Sequence, residues 1–136
     1  MTTWMVVEDE PHLYDLIVTI YQSLDVEDVS FTTGEDAVEW IEAFEEGFEE
    51  GETPELALLD IRLPGETDGI AVGERMKESP ILRDTIIVLM TAFKLSKKKE
   101  REYLRRTGAK FLVYKPFEMK DVIKQVQPML QRSSER

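Results

Sequence analysis

The sequence predicts an α/β fold, a five-stranded parallel sheet flanked by five helices. Two observations predict it. Apolar runs of strand length begin near residues 4, 26, 56, 86 and 111, and each is followed by apolar residues at the three- and four-residue spacing of an amphipathic helix. Strands and helices that alternate in this way form right-handed βαβ units, which build a parallel sheet covered by helices on both faces. The 136 residues suffice for one domain with its own core.

The first two strands and helices fill residues 4–48. Residues 4–7 form a continuous apolar run typical of a buried strand, and an acidic turn leads from it to Pro11 at the first position of a helix. A second strand is predicted over residues 26–31, with a break at Thr33. The apolar faces of the two helices contain Leu13, Leu16, Ile17, Ile20, Tyr21 and Leu24 in the first and Val38, Ile41, Phe44 and Phe48 in the second.

The third strand, residues 56–59, ends in a single carboxylate and is followed by a loop. Thr67 or Asp68 can cap the next helix, which we expect to run to about Glu78. The inward residues of this helix are Ile70, Gly73 and Met76.

The last two strands are residues 86–90 and 111–114. Between them, a helix rich in Lys and Arg covers residues 95–107 and ends before Gly108, a residue favoured just after a helix. The final helix has an apolar face made of Met119, Val122, Ile123, Val126, Met129 and Leu130.

The absence of cysteine and the single histidine, His12, restrict the chemistry. Disulfides and thiol chemistry are excluded, and one histidine argues against a Ser-His-Asp site or a multi-histidine metal site. We expect His12 to face solvent near a helix start. No apolar run is long enough to span a membrane and no signal peptide is evident, so we expect a cytoplasmic protein.

The formal net charge of −11 is unevenly distributed. Residues 1–61 contain 18 Asp or Glu and no Lys or Arg, whereas residues 62–136 contain 10 acidic and 17 basic residues. This asymmetry predicts two differently charged faces, and the acidic balance argues against direct nucleic-acid binding. We interpret the glutamates of residues 45–52 as a frayed helix end and a solvated loop, with a metal-binding cluster as the alternative.

Polar residues follow four of the predicted strands. Glu8 and Asp9 follow the first strand, Asp60 the third, Thr91 the fourth and Lys115 the fifth. Ligands bind beyond the carboxyl ends of parallel strands, at the switch point of the sheet, so we expect these side chains to converge there. Alone, Asp60 could be a turn or helix-capping residue, but its four companions favour a functional site.

The residue types of this cluster predict phosphoryl transfer. Three carboxylates in one cleft repel each other unless a cation or protons relieve them, and oxygen ligands without His or Cys suit Mg²⁺. The Lys115 ammonium and the Thr91 hydroxyl add donors for a tetrahedral anion. Asp60 is the expected nucleophile, because a carboxylate is already ionised at neutral pH.

At these positions the chain resembles the receiver domains of bacterial two-component response regulators, of the single-domain, chemotaxis-regulator-like kind. The resemblance implies a flavodoxin-like receiver fold with strand order 2-1-3-4-5. It also implies a receiver domain over residues 1–131, with residues 132–136 as a C-terminal tail or truncated linker. The matching motifs cover essentially the whole chain and are Val6-Val7-Glu8-Asp9-Glu10-Pro11, Leu58-Leu59-Asp60, Pro64, Asp68-Gly69, Thr91-Ala92, Gly108-Ala109 and Lys115-Pro116-Phe117.

The resemblance implies a role for each site residue. Asp60 would accept a phosphoryl group from a phosphohistidine of a sensor histidine kinase or phosphotransfer protein. Thr91 would bind a phosphoryl oxygen and Lys115 would pair with the phosphate, with a cis bond between Lys115 and Pro116. The implied Mg²⁺ ligands, direct or through water, are Glu8, Asp9, Asp60 and the backbone carbonyl of Arg62.

This sequence departs from the usual family pattern at two places. One residue more than usual lies between Pro64 and Gly69, so we expect the loop that carries the Arg62 carbonyl to be displaced. Leu112 stands where the family often has an aromatic switch residue, and Tyr114 lies on the same face of the strand by alternation.

Arg62 lies two residues after Asp60, and Phe93 lies two residues after Thr91. Both therefore flank the predicted phosphoryl site. We hypothesise that the bulk of Phe93 and the long cationic side chain of Arg62 restrict attacking water and prolong the life of the acyl phosphate.

The resemblance implies a signalling phosphoacceptor rather than an enzyme, with self-directed phosphoryl transfer and dephosphorylation only. If the chain is complete, we expect its downstream partner to be a protein bound through the basic helix 95–107, with a solvated basic face as the alternative interpretation of that helix. A phosphorylation-dependent dimer is a separate expectation from the resemblance. Two alternatives are a receiver-fold interaction module that works without phosphorylation and a phosphatase-type hydrolase. The hydrolase usually has a second Asp two residues after the nucleophile, where this chain has Arg62.

Overall fold

The structure, a computed structural model, describes residues 2–134. Within this range five strands and five helices alternate along the chain. The strands are β1 (Thr3–Val7), β2 (Glu27–Phe31), β3 (Leu56–Asp60), β4 (Ile86–Thr91) and β5 (Phe111–Tyr114). The helices are α1 (Pro11–Ser23), α2 (Gly34–Glu45), α3 (Gly69–Glu78), α4 (Lys97–Thr107) and α5 (Met119–Ser134). Of the expected tail, residues 135 and 136 lie outside the described residues.

The five strands form one parallel sheet in the order β2-β1-β3-β4-β5. The predicted fold class is therefore confirmed, together with the strand order that the resemblance implied. Each residue of β1, β3 and β4 is buried, because helices cover both faces of the sheet. This burial explains why these strands are continuous apolar runs in the sequence rather than alternating ones.

The core consists of two hydrophobic clusters, one on each face of the sheet. Both bury aliphatic and aromatic side chains from the central strands against the inward faces of the helices. The cluster under α1 and α5 includes Trp4, Ile17, Tyr21, Leu58, Val122 and Val126. The cluster under α2 and α3 includes Met5, Ile41, Leu59, Ile70, Met76 and Leu89.

Capping side chains and a glycine define several helix ends, among them the predicted Asp68 and Gly108. The Glu10 carboxylate accepts hydrogen bonds from the first-turn amides of α1, including that of His12, which is exposed as expected. Asp68, one of the two predicted caps, accepts from a first-turn amide of α3. Gly108 ends α4 with φ 74°, a left-handed conformation that glycine adopts without steric cost.

Two predicted helix boundaries are wrong. Helix α2 ends at Glu45 rather than near Phe48, because Gly47 turns the backbone at φ 82° and leaves Phe48 78% exposed. Helix α4 begins two residues later than the expected start at Leu95, because the Ser96 side chain caps the helix by accepting from an amide of its first turn. Both shifts arise at capping residues, where the apolar periodicity carries no information.

The acidic segment of residues 45–52 is mostly exposed, in agreement with the solvated-loop interpretation. Glu45 is the exception, since its carboxylate lies 3.0 Å from a guanidinium nitrogen of Arg75 on α3. Among residues 2–134, the acidic group able to hold a metal ion lies at the carboxyl edge of the sheet and not in this segment. No helix in the described part of the chain has the length and apolar content needed to cross a membrane.

Candidate functional site

The carboxyl edge of the sheet holds the residues that the sequence singled out. Asp60 is the last residue of β3, Thr91 is the last of β4, and Lys115 follows β5 directly. Glu8 and Asp9 follow β1, which lies beside β3. Because β1, β3, β4 and β5 are consecutive neighbours and all parallel, their carboxyl ends share one edge.

Three carboxylates of this edge lie close enough to share one ion. Glu8, Asp9 and Asp60 each offer an oxygen, and the three oxygens lie within 4.8 Å of one another. Glu8 is fully buried and Asp60 is 5% exposed, whereas Asp9 is exposed to solvent. Glu8 Oε2 accepts a hydrogen bond of 2.9 Å from the Glu10 amide, which helps to orient the buried carboxylate.

Lys115 connects the two buried carboxylates. Its ammonium Nζ lies 3.1 Å from Asp60 Oδ2 and 2.7 Å from Glu8 Oε1. The position of Lys115 is set by β5, since its backbone amide donates to the carbonyl of Thr91 on β4 at 2.8 Å. The bond between Lys115 and Pro116 is cis, as the resemblance implies.

Burial and charge change the acidity of these groups. Desolvation, with the nearby charge of Glu8 as the second cause, raises the pKa of Asp60 to about 7, although the Lys115 ammonium acts in the opposite direction. Burial alone would lower the pKa of Lys115, but its hydrogen bonds to Glu8 and Asp60 and their negative charges outweigh burial and raise it. Without a cation, therefore, the carboxylates are held together at an electrostatic cost that one ammonium only partly offsets.

The donor set of this cluster fits a hard divalent cation such as Mg²⁺. It consists of carboxylate oxygens without His or Cys, and one carboxylate, that of Asp9, is open to solvent, which leaves room for water ligands. Arg62, whose carbonyl the resemblance adds to the set, lies next to it, since its backbone amide donates to Asp60 Oδ1 at 3.3 Å. A divalent cation here would relieve the repulsion that raises the pKa of Asp60.

Two side chains near the ends of β3 and β4, those of Arg62 and Phe93, contact each other. Thr91 is 1% exposed, and its hydroxyl oxygen accepts from the Phe93 amide at 3.1 Å. The Arg62 guanidinium carbon lies 3.7 Å from the centre of the Phe93 ring, a cation–π contact. The sequence predicted that Arg62 and Phe93 flank the site, but it gave no signal that they stack on each other.

Tyr114 ties β5 to the loop that precedes α4. Its hydroxyl accepts from the Leu95 amide at 3.2 Å and donates to the Glu100 carboxylate at 3.1 Å. Tyr114 pairs with Thr91 in the parallel register, whereas Leu112 packs in the hydrophobic core. An aromatic residue thus pairs with Thr91 in the strand register, two residues later than the usual position in the family.

Comparisons with known proteins agree with this geometry. The sequence profile described as the response regulator receiver domain matches residues 4–127. The heme response regulator HssR of Staphylococcus saprophyticus is 25% identical over 132 residues, which are 97% of this chain and 53% of the relative. The chain thus spans about half the length of the curated relatives that it matches.

Solved structures give the same result. The receiver domain of a sensor histidine kinase from Pseudomonas aeruginosa, with a magnesium ion coordinated in its active site cleft, is 25% identical, with 96% of this chain and 95% of that chain covered and a TM-score of 0.70. The BeF₃-activated receiver domain of RstA from Klebsiella pneumoniae is 27% identical, with 95% and 98% covered and a TM-score of 0.73. The chain therefore belongs to the response regulator receiver domain family.

Proposed function

We propose that this chain is the phosphoacceptor of a two-component phosphorelay, with Asp60 as the acceptor. The observation that supports it best is the position of the Asp60 carboxylate, which lies 3.1 Å from Lys115 Nζ and shares a cluster with the carboxylates of Glu8 and Asp9. A nucleophile, a cation-binding group and an ammonium for the phosphoryl oxygens meet at one point. These are the parts that phosphoryl transfer to a carboxylate needs.

In the proposed reaction, one carboxylate oxygen of Asp60 attacks the phosphorus of a phosphohistidine on a sensor histidine kinase or phosphotransfer protein. The P–N bond of the donor breaks, its electron pair returns to the imidazole, and an acyl phosphate forms on Asp60. Mg²⁺, held by Glu8, Asp9, Asp60 and the Arg62 carbonyl, would neutralise charge on the carboxylates and on the phosphoryl oxygens.

Lys115 and Thr91 complete the proposed site. The Lys115 ammonium already lies between Glu8 and Asp60, so it can move from a carboxylate to a phosphoryl oxygen with little displacement. The Thr91 hydroxyl, at the end of the neighbouring strand, is the second proposed donor to that oxygen. The reaction changes the chain itself and no separate substrate is turned over, so we propose a signalling protein of the cytoplasm rather than an enzyme.

Output is proposed to pass through a protein that binds the exposed side of α4. Three cations on this side, Lys98, Arg101 and Arg105, are exposed and follow one another at a spacing of three and four residues. We define them as the basic stripe. Other α4 cations are paired, for example Arg106 with Glu74 at 3.0 Å, so the basic stripe is left available for an acidic partner.

The proposal is tested by intact mass after incubation with Mg²⁺ and acetyl phosphate, on wild type and on Asp60→Asn. We expect one added phosphoryl group in wild type and none in the variant or without Mg²⁺. If wild type gains no phosphoryl group, and beryllium fluoride with Mg²⁺ does not bind, the chain would instead be an interaction module that works without phosphorylation. Turnover of small phosphate esters would point to a hydrolase and contradict the proposal.

A further inference from the structure

The loop between β3 and α3, residues 61–68, is held by the first turn of α2. The Glu35 carboxylate oxygen Oε2 accepts hydrogen bonds from the backbone amides of Glu66 at 2.8 Å and Thr67 at 3.0 Å. Backbone hydrogen bonds to its own amide and to these two amides lower the pKa of Glu35, so the carboxylate is ionised at neutral pH. Charge-assisted hydrogen bonds of this kind are about twice as strong as neutral ones.

Two glycines make this contact possible. Gly65 has φ 84°, and a Cβ atom built on it would lie 2.7 Å from Glu35 Oε2. A Cβ atom on Gly34 would lie 2.3 Å from the Thr67 carbonyl oxygen, so the backbone of α2 also lies directly against the loop. The tip of the loop is therefore held by a carboxylate on one side and by close backbone packing on the other.

The two ends of the same loop are fixed at the acceptor. The Arg62 amide donates to Asp60 Oδ1, and the Gly69 amide donates to the Ile61 carbonyl at 2.9 Å. A Cβ atom on Gly69 would lie 1.9 Å from the carbonyl oxygen of Asp60, so the loop closes tightly on the end of β3. Arg62 thus lies in a loop whose ends are fixed beside Asp60 and whose tip is held from α2.

We propose that Glu35 is a positioning residue of the Mg²⁺ site, because it holds the loop that carries the Arg62 carbonyl, one of the proposed Mg²⁺ ligands. This inference rests on the proposed function. The loop has one residue more than the usual family spacing, and a longer loop loses more conformational entropy when it is ordered. Without the carboxylate, the amides of Glu66 and Thr67 would donate to water instead. The Arg62 carbonyl would then no longer be held in place.

The test compares Mg²⁺ titrations of wild type, Glu35→Ala and Glu35→Gln by isothermal titration calorimetry, with Glu39→Ala and Glu39→Gln as controls. Glu39 is exposed on the same helix and accepts no hydrogen bond from the loop. We expect Mg²⁺ to bind about tenfold more weakly to Glu35→Ala, in line with the loss of an outer-shell partner of a metal site. Glu35→Gln, which keeps a carbonyl oxygen for the two amides, should be affected less.

The comparison of the two Glu35 variants separates positioning from simple charge. The inference is overturned if Glu35→Gln and Glu35→Ala bind Mg²⁺ equally weakly and the Mg²⁺ affinity of the Glu39 variants falls by the same factor. The titrations would then report only the loss of one negative charge. If both Glu35 variants bind Mg²⁺ like wild type, the inference is overturned as well. Failure of wild type itself to bind Mg²⁺ would contradict the proposed function and not the Glu35 contact.

Two further measurements distinguish the loss of loop positioning from a general destabilisation of the domain. The melting temperature without Mg²⁺ should change little in Glu35→Gln, and amide exchange in Glu35→Ala should accelerate at Glu66 and Thr67 without a rise in the core strands. Faster amide exchange in all the core strands would mean that the whole domain is destabilised. That result would overturn the positioning role.

Discussion

The two edges of the sheet differ in the charge of their buried polar groups. At the amino edge, where the strands begin, the buried hydrogen-bonding groups are neutral. The Thr85 hydroxyl donates to the Pro54 carbonyl at 2.8 Å, and the Ile86 amide donates to the Glu55 carbonyl at 3.0 Å. These bonds close the starts of β3 and β4 and put no charge in the interior.

At the carboxyl edge, the same strands end in buried charge. Glu8 and Asp60 are the two carboxylates that are buried within the described part of the chain, and both belong to this edge. Removing charges from water costs free energy that a single ammonium does not repay fully, and the rise in the pKa of Asp60 to about 7 is a measure of that cost.

The difference shows which parts of the fold stabilise it and which part lowers its stability. The amino edge and the core stabilise the domain, whereas the carboxyl edge keeps carboxylates that repel one another unless a cation neutralises them. Strongly perturbed acidity at a polar cluster is typical of a functional site. The comparison predicts that substitutions at the carboxyl edge change stability and chemistry together, and that those at the amino edge change stability alone.

The largest effect is expected for Lys115→Met. Loss of the ammonium leaves Glu8 and Asp60 without their cation, so we expect about 3 kcal/mol lower stability at pH 8 without Mg²⁺ and almost no phosphorylation by acetyl phosphate. Urea unfolding and intact mass measure the two effects. Lys110→Met, at an exposed position, is the matched control and should behave like wild type. Full phosphorylation of Lys115→Met would contradict the proposed role.

Thr85→Val is the corresponding change at the amino edge. It removes the hydroxyl that donates to the Pro54 carbonyl, so we expect a loss of about 1 kcal/mol in the free energy of unfolding. The phosphorylation rate and the pH dependence of stability should stay as in wild type, as measured by intact mass and by urea unfolding at two pH values. A change in either would break the separation between the two edges.

The smallest expected effect is on the lifetime of the acyl phosphate in Phe93→Ala. Removal of the ring frees the Arg62 guanidinium that lies 3.7 Å from the ring centre, and under the hypothesis it lets water reach the acyl phosphate more easily. We expect dephosphorylation to become faster, by a factor below about ten. The decay of the phosphorylated mass after removal of acetyl phosphate measures it, with the exposed Phe48→Ala as control. An unchanged lifetime would refute the steric part of the hypothesis.

Most of the fold could be predicted from the sequence because the central strands are buried on both faces. Their continuous apolar runs are easily separated from the periodic helices, and parallel pairing brings the ends of β1, β3, β4 and β5 together. The convergence of Glu8, Asp60 and Lys115 follows from that topology alone. Local sequence signals gave Asp68 as one of two candidate caps, with Thr67, and the helix end at Gly108.

Contacts between distant surface residues could not be predicted in this way. Glu35 lies 31 residues before Glu66, and Arg62 lies 31 residues before Phe93, yet both pairs meet in the folded chain. Their positions depend on loop conformation, which apolar periodicity does not record. The end of α2 was missed for a related reason, because the left-handed turn at Gly47 overrides the apolar spacing that continues to Phe48.

The most direct test of the stability cost at the carboxyl edge is the free energy of unfolding of wild type and Asp60→Asn at pH 5 and pH 8 without Mg²⁺. Because the pKa of Asp60 is about 7 in the folded state and 3.8 is its ordinary value, the folded state binds the extra proton between these values. Wild-type stability should therefore fall as pH rises through this range, by on the order of 3 kcal/mol relative to Asp60→Asn.

Carboxylates whose pKa is lowered by hydrogen bonds, such as Glu10 and Glu45, are present in both proteins, so their contribution cancels in the comparison. Saturating Mg²⁺ should reduce the loss of wild-type stability with rising pH, because the cation neutralises the carboxylates in place of the proton. The predicted result is a steeper loss of stability in wild type than in Asp60→Asn. Parallel pH profiles for the two proteins would contradict the account, since the buried Asp60 carboxylate would then carry no electrostatic cost.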